Sequence, residues 1–223
     1  MNKNFIKKLD QQLFFGFLKK IKNKFDDTKQ LVLHKKFVNK LSKKTNLKNL
    51  TILNNDKKNI LSKLCENYGS DKGYIDFEKE SIWPWKPHTY TNVYDNLFNH
   101  CRKDVKLVFE CGIGTTNDEI PCNMSTNGKP GASLRVWRDY FSNAEIFGAD
   151  IDKSILFSDN RIQTFYVDQL NNIKIKNMWK SINRNNFDLI IDDGLHDYEA
   201  AKTFFLASYD RLKEGGIYVI EDV

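Results

Sequence analysis

An α/β fold built on a mostly parallel, doubly wound sheet is predicted by two observations. Beyond residue 107 short β-rich runs (107–111, 145–149, 162–167, 187–191, 217–220) alternate with helical ones (133–141, 198–211), and that alternation means a parallel sheet covered by helices. The runs Leu107-Val108-Phe109 and Leu189-Ile190-Ile191 are apolar without interruption, as strands buried on both faces require.

Each element has its own pattern. Phe5, Leu9, Leu13, Phe17 and Ile21 recur at helical spacing with lysines opposite, which predicts an amphipathic helix over residues 5–25. A weaker helical pattern runs through Leu31, Val32, Phe37, Val38 and Leu41, after which Asn and Lys dominate until Ile60. The texture then changes. A helix is expected from Ile60 to Tyr68, ended by Gly69, then a loop holding Trp83, Pro84, Trp85 and Pro87, then a helix over 91–100. The organisation is thus a basic helical segment, 1–58, ahead of one domain, 59–223.

Composition narrows the classes. At 223 residues, 40 % apolar and 13 % aromatic, the chain can bury one full core but not two large ones, and wholesale disorder is excluded. Cys65, Cys101, Cys111 and Cys122 show no CxxC spacing, which argues against structural zinc and for a reducing compartment. The net charge of +6 divides sharply: residues 1–58 hold 16 Lys against 4 Asp, net +12, and the remainder is net −6. A basic average therefore says nothing about nucleic acid, and no nucleic-acid partner is expected. No apolar run approaches the roughly 20 residues of a membrane span, and lysines interrupt any signal-peptide core, so a cytoplasmic protein is expected. For residues 1–25 three readings stay open: packing on the main domain or a second subunit, as in a homo-oligomer; peripheral contact with an anionic membrane face; or a loosely ordered arm.

Three constellations carry candidate chemistry. Glu110-Cys111-Gly112-Ile113-Gly114 comes directly after the first strand, and glycine turns at the carboxyl edge of such a sheet let backbone approach a ligand. The third glycine of a GxGxxG motif is missing, which disfavours a nicotinamide-dependent oxidoreductase. Gly148-Ala149-Asp150-Ile151-Asp152 ends the next strand; Asp150 is placed to accept two ribose hydroxyls, while Asp152 is placed to cap a helix at its start. Asp168, ending the third strand, can reach an adenine amino group or serve its turn. The third constellation pairs Asp192-Asp193-Gly194-Leu195-His196 with Glu221-Asp222. If their strands are neighbours, Asp193, Glu221 and Asp222 offer an all-oxygen site suited to Mg²⁺, with His196 beside it as a general base. The alternative is that these carboxylates cap helices and the histidine is structural.

Together with Leu212-Lys213-Glu214-Gly215-Gly216 before the last predicted strand, these motifs resemble a class I S-adenosylmethionine-dependent methyltransferase over about 107–223. Tyr68-Gly69-Ser70-Asp71-Lys72-Gly73, His88-x-Tyr90-x-x-x-Tyr94 and Pro130-Gly131-Ala132-Ser133-Leu134-Arg135-x-Trp137 narrow the likeness to a bacterial subgroup. Its members are macrolide-sugar O-methyltransferases and those of capsular polysaccharide modification, notably O-methyl phosphoramidate formation. The resemblance implies a Rossmann-like sheet preceded by N-terminal helices and S-adenosylmethionine bound by Glu110, Gly112, Gly114, Asp150, Ile151, Asp168 and Asp192. It further implies Lys72 on the methionine carboxylate, the 70–73 loop and Tyr90 closing over the cofactor, Mg²⁺ on Asp193, Glu221 and Asp222, and His196 as base. The implied acceptor is a small or saccharide-linked molecule, a capsular phosphoramidate first and a sugar hydroxyl as the alternative. An RNA methyltransferase and a non-catalytic cofactor-binding module are the remaining rivals. That fold normally adds a helix and two strands after its fifth strand, so the sheet is expected to lack its last strands, as a trimmed or unusually short member would, and to need cover at that edge.

Overall fold

The computed structural model describes residues 59–73, 85 and 88–222. The amphipathic stretch 5–25, the second helical run 31–41 and the loop residues Trp83, Pro84 and Pro87 lie outside the described residues. None of the helices described is long and apolar enough to cross a membrane.

Helix α1 (Ile60–Tyr68) starts where the Asn59 side chain accepts the Ser62 N–H and stops at Gly69, whose φ of 77° reverses the chain. Helix α2 (Tyr90–Phe98) comes next, then strand β1 (Leu107–Cys111), helix α3 (Ala132–Tyr140) and strand β2 (Glu145–Asp150). A two-residue strand β3 (Ser158–Asp159) pairs antiparallel with β4 (Ile162–Tyr166). Helix α4 (Asn172–Ile182), strand β5 (Phe187–Asp192), helix α5 (Tyr198–Ser208) and strand β6 (Leu212–Ile220) complete the described chain. The sheet order is β3-β4-β2-β1-β5-β6, parallel throughout except at β3, and β6 is its edge among the described residues.

Two departures from the sequence pattern have physical reasons. Helix α4 is disguised because Ile173-Lys174-Ile175-Lys176 alternates like a strand; the buried set is instead Ile175, Met178, Trp179 and Ile182 at helical spacing, with Asn171 capping. Strand β6 begins five residues before Ile217. Leu212 pairs with Phe187 and Ile217 with Leu189, so residues 213–216 bulge out. From that bulge the Lys213 ammonium reaches Asp188, whose other oxygen accepts the Lys106 and Leu107 N–H groups at 2.7 and 2.9 Å.

Strand alternation splits the core in two. Val108, Ile146 and Leu189 face α1, α2 and α3, packing with Leu61, Tyr94 and Trp137; Phe109, Phe147 and Ile190 face α4 and α5, packing with Trp179 and Phe204. Helices therefore cover both faces, as the doubly wound reading requires. Phe109 is the hub of the second core, with ring centroids 4.6 Å from Trp179, 5.9 Å from Phe204 and 6.3 Å from Phe187. Phe109→Ala is expected to cost about 3–5 kcal/mol in urea unfolding, with an unchanged m-value.

Candidate functional site

The carboxyl ends of β1, β2, β4, β5 and β6 open on one cleft of about 560 Å³, the size of a small-molecule site. Its floor is the turn after β1. Gly112 adopts φ 83°, and a Cβ there would fall on the Asp193 carbonyl oxygen; Gly114, at φ 82°, has the Met124 sulfur where its Cβ would stand. Gly112 lets the ends of β1 and β5 lie side by side, and Gly114 leaves room for the Met124 side chain.

Asp150 and Ile151 line the cleft after β2. The Asp150 carboxylate also braces the turn, accepting the Ile113 N–H on Oδ2 and the Asp152 N–H on Oδ1, each at 2.9 Å. Burial pushes this carboxyl up against the pull of those donors. Asp152 caps the 3₁₀ turn Lys153–Ile155 and accepts the Thr115 hydroxyl at 2.5 Å. Asp168 lines the cleft and accepts the Leu170 N–H at 3.1 Å.

Glu110 and Asp192 are buried and do not line the cleft. Alternation along β1 and β5 directs them beneath it. Glu110 is fully buried against α3, taking the Ser133 hydroxyl at 2.7 Å and the Trp137 N–H at 3.0 Å. Asp192 receives the Gln169 amide on Oδ1, and its buried Oδ2 has no hydrogen-bond partner. Burial raises its carboxyl to about 6. Since that pKa is raised above its usual 3.8, the neutral form's contribution is complete below about pH 4 and lost as pH rises through 6, a decline of at most about 3 kcal/mol. Chemical unfolding from pH 4 to 8 is expected to show a shallower decline in Asp192→Asn than in the parent chain.

At the ends of β5 and β6 the acidic clusters converge as neighbours. Asp193 Oδ1 lies 3.2 Å from His196 Nε2, and Asp222 Oδ2 lies 3.8 Å from the same nitrogen. Ligand atoms of Asp193, His196 and Asp222 fall within 4.8 Å of one another. Glu221 also lines the cleft. Its Oε1 accepts the Tyr94 hydroxyl at 2.5 Å and its Oε2 pairs with the Lys72 ammonium. That ammonium also holds Asp193 Oδ2 at 2.5 Å and Glu110 Oε1 at 3.3 Å.

One cation thus serves three acids. Burial opposes the Lys72 charge, but Asp193, Glu221 and Glu110 together hold it protonated well above the usual lysine range. Asp193 would be raised by burial, yet Lys72 and the His196 hydrogen bond keep it below the usual carboxylate range. Glu221 has no second cation, so burial and the nearby carboxylates drive it upward. His196, at a φ of 52°, is raised by its bond to Asp193 in spite of burial.

The cleft mouth is aromatic. The Tyr90 hydroxyl donates to Asp222 Oδ1, His88 stacks on Tyr90 at 4.6 Å, and the Trp85 N–H donates to Asp71 at 2.9 Å. Gln169 and the loop residues Ile120 to Met124 also line the cleft and were not legible. Gln169 works by tying Asp192 to the Leu195 N–H at 2.7 Å, and no spacing in the sequence marks it.

Comparison with known proteins agrees with this geometry. Residues 130–223 match the model of a methyltransferase domain. The chain is 31 % identical over 163 residues to the 8-demethyl-8-alpha-L-rhamnosyl tetracenomycin-C 2'-O-methyltransferase of Streptomyces olivaceus, covering 73 % of this chain and 37 % of that protein. It is 32 % identical over 136 residues to the demethylmacrocin O-methyltransferase of Streptomyces fradiae, covering 61 % and 32 %. It superposes with a TM-score of 0.58 and 32 % identity on the MycE methyltransferase of the mycinamycin pathway in complex with Mg, SAH and mycinamycin VI, covering 74 % and 40 %. The chain spans about a third of the length of the curated relatives it matches. The match over residues 130–223 and the superposition of this mostly parallel sheet at 32 % identity support a class I S-adenosylmethionine-dependent methyltransferase domain in this chain.

Proposed function

We propose that this chain carries the cofactor cleft and acid–base centre of an S-adenosylmethionine-dependent O-methyltransferase acting on a saccharide hydroxyl. The observation that supports it most is convergence: the glycine turn after β1 and the Asp193, His196 and Asp222 side chains share one cleft. One of the similar proteins named above acts on a rhamnosyl tetracenomycin by its name, and the MycE structure holds SAH and Mg.

The residues fit both groups. Gly112, Gly114, Asp150, Ile151 and Asp168 would hold the nucleoside half of the cofactor. Asp193 and Asp222, with Glu221 beside them, would hold Mg²⁺, hard carboxylates suited to an ion that keeps several waters. When bound, the cofactor supplies an electrophilic methyl group and the metal acidifies and clamps the acceptor oxygen. The chain supplies the base. With its Nε2 facing Asp193, His196 would take the hydroxyl proton on its imidazole, and Asp193 would stabilise the resulting imidazolium.

Charge favours the hydroxyl over the phosphoramidate. Among the described lining residues the fixed positive charge is Lys72 alone, already paired with three carboxylates, whereas Asp71, Asp150, Asp168, Asp193, Glu221 and Asp222 are acidic. An anionic acceptor would depend on the metal and the sulfonium to offset that field, whereas a neutral hydroxyl does not. The test is calorimetric titration with S-adenosylhomocysteine, with and without Mg²⁺ and with NAD as control, and then labelled-methyl transfer to rhamnosides and to a phosphoramidate-bearing saccharide. Nucleoside binding and transfer to the rhamnoside are expected. Binding of NAD in its place, or transfer to the phosphoramidate alone, would overturn the reading.

A further inference from the structure

The turn that carries His196 is held by side chains from elsewhere in the fold. His196 has a φ of 52°, a left-handed conformation that a residue other than glycine keeps only where its surroundings hold it there. The residue before it is fixed at both of its backbone polar groups. The Leu195 N–H donates to Gln169 Oε1 at 2.7 Å, and the Leu195 carbonyl accepts the Cys122 Sγ–H at 3.1 Å. Gln169 lies between β4 and α4, and Cys122 between β1 and α3, so segments following two other strands steady the turn after β5.

Gln169 is the stronger of the two holds. It is buried, and its Nε2 donates to Asp192 Oδ1, on a residue whose own backbone is fixed in the sheet, its carbonyl accepting the Glu221 N–H at 2.9 Å. A backbone N–H can only donate and the Asp192 oxygen accepts, so the position calls for a donor and an acceptor in one side chain, at the reach of a glutamine. Gly194 is matched to it. A Cβ there would fall on Gln169 Oε1, and the three atoms nearest to that Cβ all belong to Gln169. The φ of Gly194 is not among the positive ones, so this glycine answers to the Gln169 side chain and not to a left-handed backbone.

We infer that Gln169 is a positioning residue for the base: it fixes the Leu195 peptide against Asp192 and so sets where the His196 imidazole stands in the cleft. Gly194 is the space that lets the amide lie across the turn. The inference rests on the methyltransferase reading for the proton transfer and is independent of it for the placement of the ring.

The experiment uses the full chain with three substitutions: Gln169→Met, which keeps the length of the side chain and removes both amide hydrogen bonds, Gly194→Ala, which displaces the amide, and His196→Gln. Gln169→Met is expected to lower kcat for methyl transfer to a rhamnoside by about 10–100-fold, as a base displaced by about 1 Å would. Acceptor KM and S-adenosylhomocysteine affinity should stay within about threefold, and Gly194→Ala should show the same split. In the His196→Gln background Gln169→Met should add less than about a threefold loss, because a residue that acts through the imidazole then has nothing left to place. Without cofactor or metal, histidine-selective NMR follows the four imidazoles of the chain, His196 being assigned by its absence in His196→Gln. One sharp His196 resonance set is expected in the parent and a broadened or doubled one in Gln169→Met. Losses that multiply in the double variant, or an unmoved His196 resonance, would overturn the inference; so would a tenfold fall in nucleoside affinity, which would place Gln169 on the cofactor. Should Gln169→Met fail to fold, Gln169→Ala/Gly194→Ala, whose added methyl group enters the vacated space, decides by the same readouts. If the parent transfers no methyl group, the methyltransferase reading fails, while the resonances still decide the positioning.

Discussion

Replacing His196 by Gln is expected to lower methyl transfer to a saccharide hydroxyl by about 10²–10⁴-fold while leaving S-adenosylhomocysteine affinity within about twofold. A hydroxyl oxygen is a poor nucleophile until its proton has somewhere to go, and the imidazole is oriented for that transfer by Asp193 at 3.2 Å. Glutamine retains a polar amide of similar reach but cannot accept a proton at neutral pH, so the variant separates basicity from packing. Labelled-methyl transfer under saturating cofactor, beside calorimetry, checks it. The same variant assayed on an anionic phosphoryl acceptor should lose little, because that oxygen needs no deprotonation. Equal loss on both acceptors would remove His196 from the proton step and leave it with an orienting role.

The second large effect is expected at Gly112. Alanine there must hold a φ of 83°, and its Cβ would fall on the Asp193 carbonyl oxygen. The clash is with backbone of the adjacent strand end, so it is relieved only by parting β1 from β5. Loss of S-adenosylhomocysteine binding by at least about 100-fold is expected, with a stability cost of about 1–2 kcal/mol from the left-handed conformation alone. Gly114→Ala is the informative contrast. Its φ is 82°, but the atom in its way is the sulfur of Met124, a side chain that can swing aside. Its effect on nucleoside affinity should be at least tenfold smaller than that of Gly112→Ala. Equal effects would mean that left-handed strain, rather than strand separation, governs the turn.

Much of the fold and part of the site are legible in the sequence, for reasons that differ by element. The central strands declare themselves because a strand covered on both faces needs Leu-Val-Phe or Leu-Ile-Ile without a polar break, and helices on the two faces duly share out Val108 and Phe109. The glycine turn and the two acidic clusters are visible because their neighbours in the chain put them at strand ends. Parity and distance are the obstacles. Glu110 and Asp192 are acids at strand ends like Asp193, and only the pleat decides that they point under the cleft. Lys72 lies 121 residues from Asp193 and 149 from Glu221, and no local pattern joins partners that far apart. Helix α4 is hidden by an accidental two-residue alternation.

Asp188, near the start of β5, and Asp193, just past its end, both carry charged ties to its neighbours. At the amino end Asp188 hooks the first amides of β1 and the ammonium of β6; at the carboxyl end Asp193 shares Lys72 with Glu110 of β1 and Glu221 beyond β6. In mechanical language β5 is a beam bolted at both ends. A shear load drawing β1 or β6 lengthwise along it strains a charged tie in either direction of travel, so these three strands should yield together under force.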